Sequence, residues 1–221
     1  GNFILFNIIP IFKLKTDNEF KVSEAKQIDI PEMVHFYNEY YRNFNFSPKY
    51  TIESFSKMLI ELPDLSIDKF KIARKNDEIK AIVACWDQQK IQKYIIMNYS
   101  FSVHLLRILL YIFSLFRRIP SMPKKDEPLK FIYVCFVALQ GKDISALRAI
   151  LRSVNNEIRG TEYSHFAICI NEKDDMSTAL KGMFFSQIMS HLYAYPLERN
   201  LTFGDYMLNK KSIHAEYALL I

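Results

Sequence analysis

The sequence predicts an α/β fold, a mixed central sheet of about seven strands with flanking helices. Three observations predict it. Half of the 221 residues are apolar, enough to bury one sizeable core. Only five glycines and eight prolines interrupt the chain, and no Ser, Gly or Pro run reads as a flexible linker, so residues 1–221 form one domain. Strand-length apolar runs also alternate with capped helix starts, the pattern of helices laid on a sheet.

The elements follow in order. Gly1 precedes Asn2 with no methionine, the form left by removal of a tag, so a fragment of a longer chain is expected. Within residues 1–20 the apolar run Phe3 to Phe12 is read as an N-terminal strand or an interdomain connection. Lys21 to Ala25 alternates as a strand, and Asp29, with Pro31 in the first turn, caps a helix to about Phe44. Thr51 caps a second helix that ends before Pro63. Phe70 to Arg74, Ile79 to Trp86 and Ile91 to Tyr99 have the β-branched and aromatic content of strands and form an antiparallel meander, the first two joined at Asn76-Asp77.

Pro120, Pro123 and Pro128 enforce a loop ahead of Leu129 to Leu139, a buried strand. Asp143 caps a helix from Ile144 to about Arg159, stopped by Gly160, and Ser164 to Ile170 is the next strand. Strand, helix, strand in that order implies a parallel pair with a right-handed crossover. A short helix at Ser177 to Lys181, a strand from Phe184 to Tyr195 and a last strand from His214 to Leu220 complete the set.

The longest apolar stretch, Phe101 to Phe116, falls short of the roughly 20 residues of a membrane span, and Arg107 within it would cost about 3 kcal/mol in a bilayer. No span is expected. On a helical period His104, Arg107, Tyr111, Ser114 and Arg118 share one narrow polar stripe, so this inserted helix must bury the rest of itself. Its place is either the core or an interface with a second domain or a twin subunit.

Composition excludes several function classes. The net charge is +5, from 29 Lys and Arg against 24 Asp and Glu. Basic doublets such as Arg117-Arg118, Lys124-Lys125 and Lys210-Lys211 are few and scattered, so no nucleic-acid partner is expected. Cys85, Cys135 and Cys169 each sit in an apolar run, without metal-ligand spacing, as small core residues of a reducing, cytoplasmic compartment. His35, His104, His165, His191 and His214 show no ligand spacing either, and no metal is expected.

The element order resembles the GNAT superfamily over roughly residues 20 to 220. The local text carries the likeness: Asp29-Ile30-Pro31-Glu32 at the first helix, the Asn76-Asp77 turn before Ala81-Ile82-Val83-Ala84, and Val134 to Leu139 leading into Gln140-Gly141-Lys142-Asp143-Ile144. Within that superfamily Phe46-Ser47-Pro48, Trp86-Asp87-Gln88 and Asn98-Tyr99-Ser100 are similar to the second half of tandem GNAT proteins. That likeness implies a second GNAT domain, or a homodimer mate, as partner through Phe101 to Phe116.

The resemblance also implies an acyl-CoA, acetyl-CoA or another, in the gap between two splayed parallel strands, its pyrophosphate on backbone N–H groups at the start of the next helix. The residues so implied are Phe136, Val137, Ala138, Gln140, Gly141, Lys142, Asp143, Ile144 and Asn171, with the backbone of Phe136 to Ala138 polarising the thioester. The family's loop has two small residues where this chain has Asp143 and Ser145. A carboxylate at the N-cap takes the N–H groups that phosphate would use and repels it. The family also places a tyrosine four residues ahead of a Gly-Phe pair to protonate the thiolate. Here Thr178 stands four residues ahead of Gly182-Met183, and its hydroxyl is far less acidic than a phenol.

Glu172 and Asp87, near strand ends, are the candidate general bases. Trp86 reads as a packing anchor. Two functions remain: an acyl-CoA-dependent N-acyltransferase with a degenerate phosphate loop, or a catalytically inactive GNAT-fold module serving a tandem or dimeric protein.

Overall fold

Seven strands form one mixed sheet. Its central strands, Phe70–Lys75, Glu78–Trp86 and Phe131–Leu139, are hydrophobic runs covered on both faces. The computed structural model describes residues 2–45, 47–114, 122–141, 143–191 and 212–213. The strands are β1 (Asn2–Ile8), β2 (Lys21–Glu24), β4 (Phe70–Lys75), β5 (Glu78–Trp86), β6 (Phe131–Leu139), β7 (His165–Asn171) and β8 (Phe185–His191), in spatial order β2-β4-β5-β6-β7-β1-β8. Two-residue strands β3 (Phe44–Asn45) and β9 (Ser212–Ile213) pair separately. β6 and β7 are parallel, and every other adjacent pair of the main sheet is antiparallel.

Helices cover both faces. The crossover helix α4 (Ile144–Ile158) sinks Leu147, Ile150, Leu151 and Val154 against Val83, Phe166 and Ile168 on one face. On the other, α1 (Ile30–Tyr41) and α2 (Ile52–Glu61) close over Phe70, Trp86 and Tyr133 with Met33, Tyr37 and Phe55. Thr51 caps α2 reciprocally with Ser54, and Trp86 is an anchor, 1% exposed, its Nε1 donating to Pro63 O at 2.7 Å. The β4–β5 turn places Asn76 and Asp77 at φ of 51° and 63°, the left-handed pair of a tight hairpin.

Three expectations are corrected. Asp29 precedes α1 but its side chain does not cap it; the carboxylate accepts from Lys26 N at 2.7 Å and Arg74 Nη2 at 3.0 Å. α1 ends at Tyr41, short of Phe44. Ile91 to Tyr99 adds no strand to the sheet, because a turn at Gln88 directs the chain away and β6 takes the open edge of β5. Lys142, the end of the apolar helix at Phe116, the strand beyond His191 and the strand His214 to Leu220 lie outside the described residues.

The N-terminal segment is part of the sheet. β1 lies between β7 and β8, antiparallel to both. The chain then crosses α4 as a strap to reach β2 at the far edge. Asn155 Nδ2 donates to Phe12 O at 2.9 Å, Asn156 both donates to Leu14 O and accepts from Leu14 N at 2.8 Å, and Arg152 donates to Lys15 O at 3.1 Å.

The insertion between β5 and β6 carries α3 (Phe101–Ser114). Its two limbs zip together: Leu129 N donates to Tyr94 O at 2.8 Å, Ile95 bridges Pro128, Asp126 N donates to Ile96 O at 2.8 Å, and Tyr99 Oη donates to Pro123 O at 2.8 Å. Among the described residues, none of the α3 side chains is buried.

Candidate functional site

Parallel strands that part make a cleft, and β6 and β7 part. They pair from Phe131↔His165 to Val134↔Ile168 and no further. Beyond that, β6 runs on to Leu139, while Cys169, Ile170 and Asn171 stay paired with β1 on their other edge. The separation starts at a bulge in β6: Ala84 faces Cys135 but Ile82 faces Ala138, so Phe136 and Val137 together oppose Val83. Phe136 has φ of 49°, a conformation costing a non-glycine residue about 1–3 kcal/mol. Tyr37 Oη holds it in place by donating to Phe136 O at 2.8 Å in the buried core. The bulge and the gap are the places where Phe136, Val137 and Ala138 were expected to act. The mixed seven-stranded sheet and the parting of its parallel pair agree with the layout that the resemblance implies.

Solved structures align with the chain at low similarity. The chain aligns with a functionally unknown conserved protein from Staphylococcus epidermidis at 11% identity and a TM-score of 0.47, covering 86% of this chain and 62% of that one. N-myristoyltransferase from Saccharomyces cerevisiae, solved with myristoyl-CoA, aligns at 11% and 0.48, covering 85% and 47%. A GCN5-related N-acetyltransferase from Sphaerobacter thermophilus aligns at 10% and 0.47, covering 85% and 50%. This chain therefore spans between 47% and 62% of the length of these three proteins. No protein-family model matches the sequence, and no curated protein matches it. Likenesses of this size say nothing about substrate or activity.

The loop after β6 is closed by its own side chains. Gly141, at φ of 55°, makes the turn. Asp143 N donates to Gln140 O, and the Gln140 side chain accepts from Lys80 Nζ at 2.7 Å. Asp143 Oδ1 accepts from Ser145 N at 3.1 Å and Ala146 N at 3.3 Å, so two of the donors at the α4 N-terminus are taken. Ile144 packs against the core.

The other site candidates separate. Asn171 ends β7 in a turn, its Oδ1 accepting from Lys173 N at 3.0 Å. Glu172 follows it, exposed, with Oε2 accepting from Asn2 Nδ2 at 2.9 Å. Thr178 lies in a short 3-10 turn, where its hydroxyl donates to Asp175 O at 2.8 Å. Asp87 is elsewhere. It follows Trp86, whose partner is Tyr133 near the start of β6, so Asp87 and Glu172 occupy opposite ends of the sheet and not one cleft.

Asp87 borders a cavity of about 450 Å³ beside the C-terminal half of α4, lined by Lys71, Cys85, Ile132, Glu157 and Tyr163 among others. Tyr163 Oη donates to Asp87 at 2.9 Å, and burial together with that carboxylate pushes the phenol pKa up. Burial pushes the Cys85 thiol up to about 12, so it is protonated at neutral pH and no nucleophile. Lys71, 8% exposed, is opposed by burial, but its bonds to Glu157 at 2.6 Å and Glu24 at 3.3 Å prevail and raise its pKa. The sequence hides this group because its members come from β2, β4, β5, β6 and α4 and the loops beside them. The one legible signal is Lys71, a charged residue inside a strand otherwise buried.

Proposed function

We propose that this domain is an acyl-CoA-dependent N-acyltransferase, with the gap between β6 and β7 as its donor cleft. The observation that supports it is the parting of these strands at the Phe136 bulge, which leaves the β7-facing edge of β6 unpaired with β7 beyond Val134. The amine attacks the thioester carbonyl, the C–S bond breaks and CoA departs as thiolate, while the amine proton passes to a base. Strand backbone held rigidly at such a bulge is suited to stabilising the oxyanion of such a step. Glu172 shares the open end of the gap and is the candidate base; Asp87 lies at the other end. Thr178, already donating within its turn, is not suited to protonate the thiolate, so that proton comes from solvent.

The N-terminus of α4 favours a second reading, an inactive module, since Asp143 occupies donors that a pyrophosphate would need. Titration of acetyl-CoA into the protein and into Asp143→Gly, followed by calorimetry, separates the two. The expected result is binding by both, tighter in the variant by roughly tenfold, about 1.4 kcal/mol. Binding by the variant alone assigns the inactive reading. Binding by neither overturns the donor cleft.

A further inference from the structure

Between residues 88 and 125 the sequence contains no Asp or Glu and seven Lys or Arg: Lys90, Lys93, Arg107, Arg117, Arg118, Lys124 and Lys125. The whole chain is at +5, so the remainder carries a slight negative charge. This one insertion therefore holds the protein's excess of positive charge. It also holds more than half of the large apolar side chains found exposed among the described residues, from Ile91 and Met97 to Ile112.

On α3 the residues Phe101, Leu105, Ile108 and Ile112, at spacings of four, three and four, line up along one face, with Leu109 beside them, and all are exposed, Phe101 at 87%. Arg107 turns to the opposite side and stacks over Tyr99 at 5.9 Å. On the zipped limbs Lys93, Lys124 and Lys125 stand exposed, with Asp126 and Glu127 exposed beside the last two. Lys90 is paired with Asp64.

We propose that α3 and its two limbs dock the protein on an anionic lipid surface, the apolar face entering the headgroup boundary and the flanking cations meeting lipid phosphates and carboxylates. Exposed apolar surface flanked by more cations than acids is the chemistry of an interfacial helix. A second copy of the chain fits less well, because each insertion carries seven cations against the two acids of its limb, Asp126 and Glu127, so pairing would set like net charge against like. The helix lies on the membrane and does not cross it: no helix among the described residues is long and apolar enough.

The test is co-sedimentation of the full chain with phosphatidylcholine vesicles, with and without about 30% phosphatidylserine. Binding is expected on the anionic vesicles, at least about tenfold weaker on the neutral ones, and lost at about 1 M salt. Lys124→Glu with Lys125→Glu lowers the partition coefficient at least about tenfold, since each cation near the surface contributes roughly fivefold. Ile108→Ser with Ile112→Ser lowers it as much while leaving the circular dichroism unchanged. Absence of binding, equal binding to both vesicles, or binding indifferent to the α3 variant overturns the proposal. Concentration-dependent association in sedimentation velocity, abolished by that variant, would assign α3 to a protein partner instead.

Discussion

α3 and α4 are helices of similar length, 14 and 15 residues, and the more apolar one is the exposed one. α4 carries Arg148, Arg152, Asn155, Asn156 and Glu157, yet it buries eight residues. It does so because it connects two neighbouring parallel strands, and a right-handed crossover must lie back on the sheet. α3 connects antiparallel neighbours β5 and β6, which a two-residue turn would join, so nothing in the topology obliges it to pack. Apolar content alone does not decide burial. Where a greasy helix stays outside although its topology is optional, its exposure points to something it meets.

The largest effects should fall on the buried side of this comparison. Leu147→Ala on α4, at a fully buried site, is expected to cost about 2–5 kcal/mol in urea unfolding. A loss below about 1 kcal/mol would show that α4 is not the keystone described.

Next comes pH. His165 stacks on Phe131 with ring centroids 4.7 Å apart, and burial lowers its pKa to about 4. Because the folded pKa lies below the unfolded value near 6.5, an unfolded chain takes up the proton first as pH falls. Stability is therefore lost between about pH 6.5 and 4 and stays level, for this group, outside that window. The loss is at most about 3 kcal/mol, and nearer 2 for a ring still partly in water. Unfolding at pH 7 and 4.5 should show a smaller difference in His165→Phe than in the parent; an equal difference would refute the assignment.

The smallest effect should be Ile108→Ser on α3, within about 0.5 kcal/mol. A cost near that of Leu147→Ala would mean α3 packs on something after all and would break the comparison.

Much of this was legible in the sequence. Thr51 and Asp143 announced their helices because caps are local hydrogen bonds, and Leu129 to Leu139 and Ser164 to Ile170 read as buried strands because both their faces are apolar. Asp29 misled for the opposite reason: Arg74, some 45 residues away, takes its carboxylate. Ile91 to Tyr99 has strand composition, but β6 takes the edge of β5 that it would have joined, a fact of tertiary pairing that no local pattern records. The same holds for Asp87, set apart from Glu172 only by the register of β5 on β6, and for the Lys71 cavity. The gap between β6 and β7 was expected from resemblance; the Tyr37 bond that holds its bulge was not foreseeable.

β1 has a consequence in time. Its pairing partners on β7 and β8 lie about 160 to 190 residues further along, so on a ribosome working at roughly 5–20 residues per second the first strand waits on the order of ten to forty seconds before its neighbours exist. Through that interval Phe3, Phe6 and Ile8 are without their eventual cover, and the slot they will fill cannot yet be built. Closing such distant ends is slow, which makes the newborn chain, more than the finished one, the form that needs a chaperone.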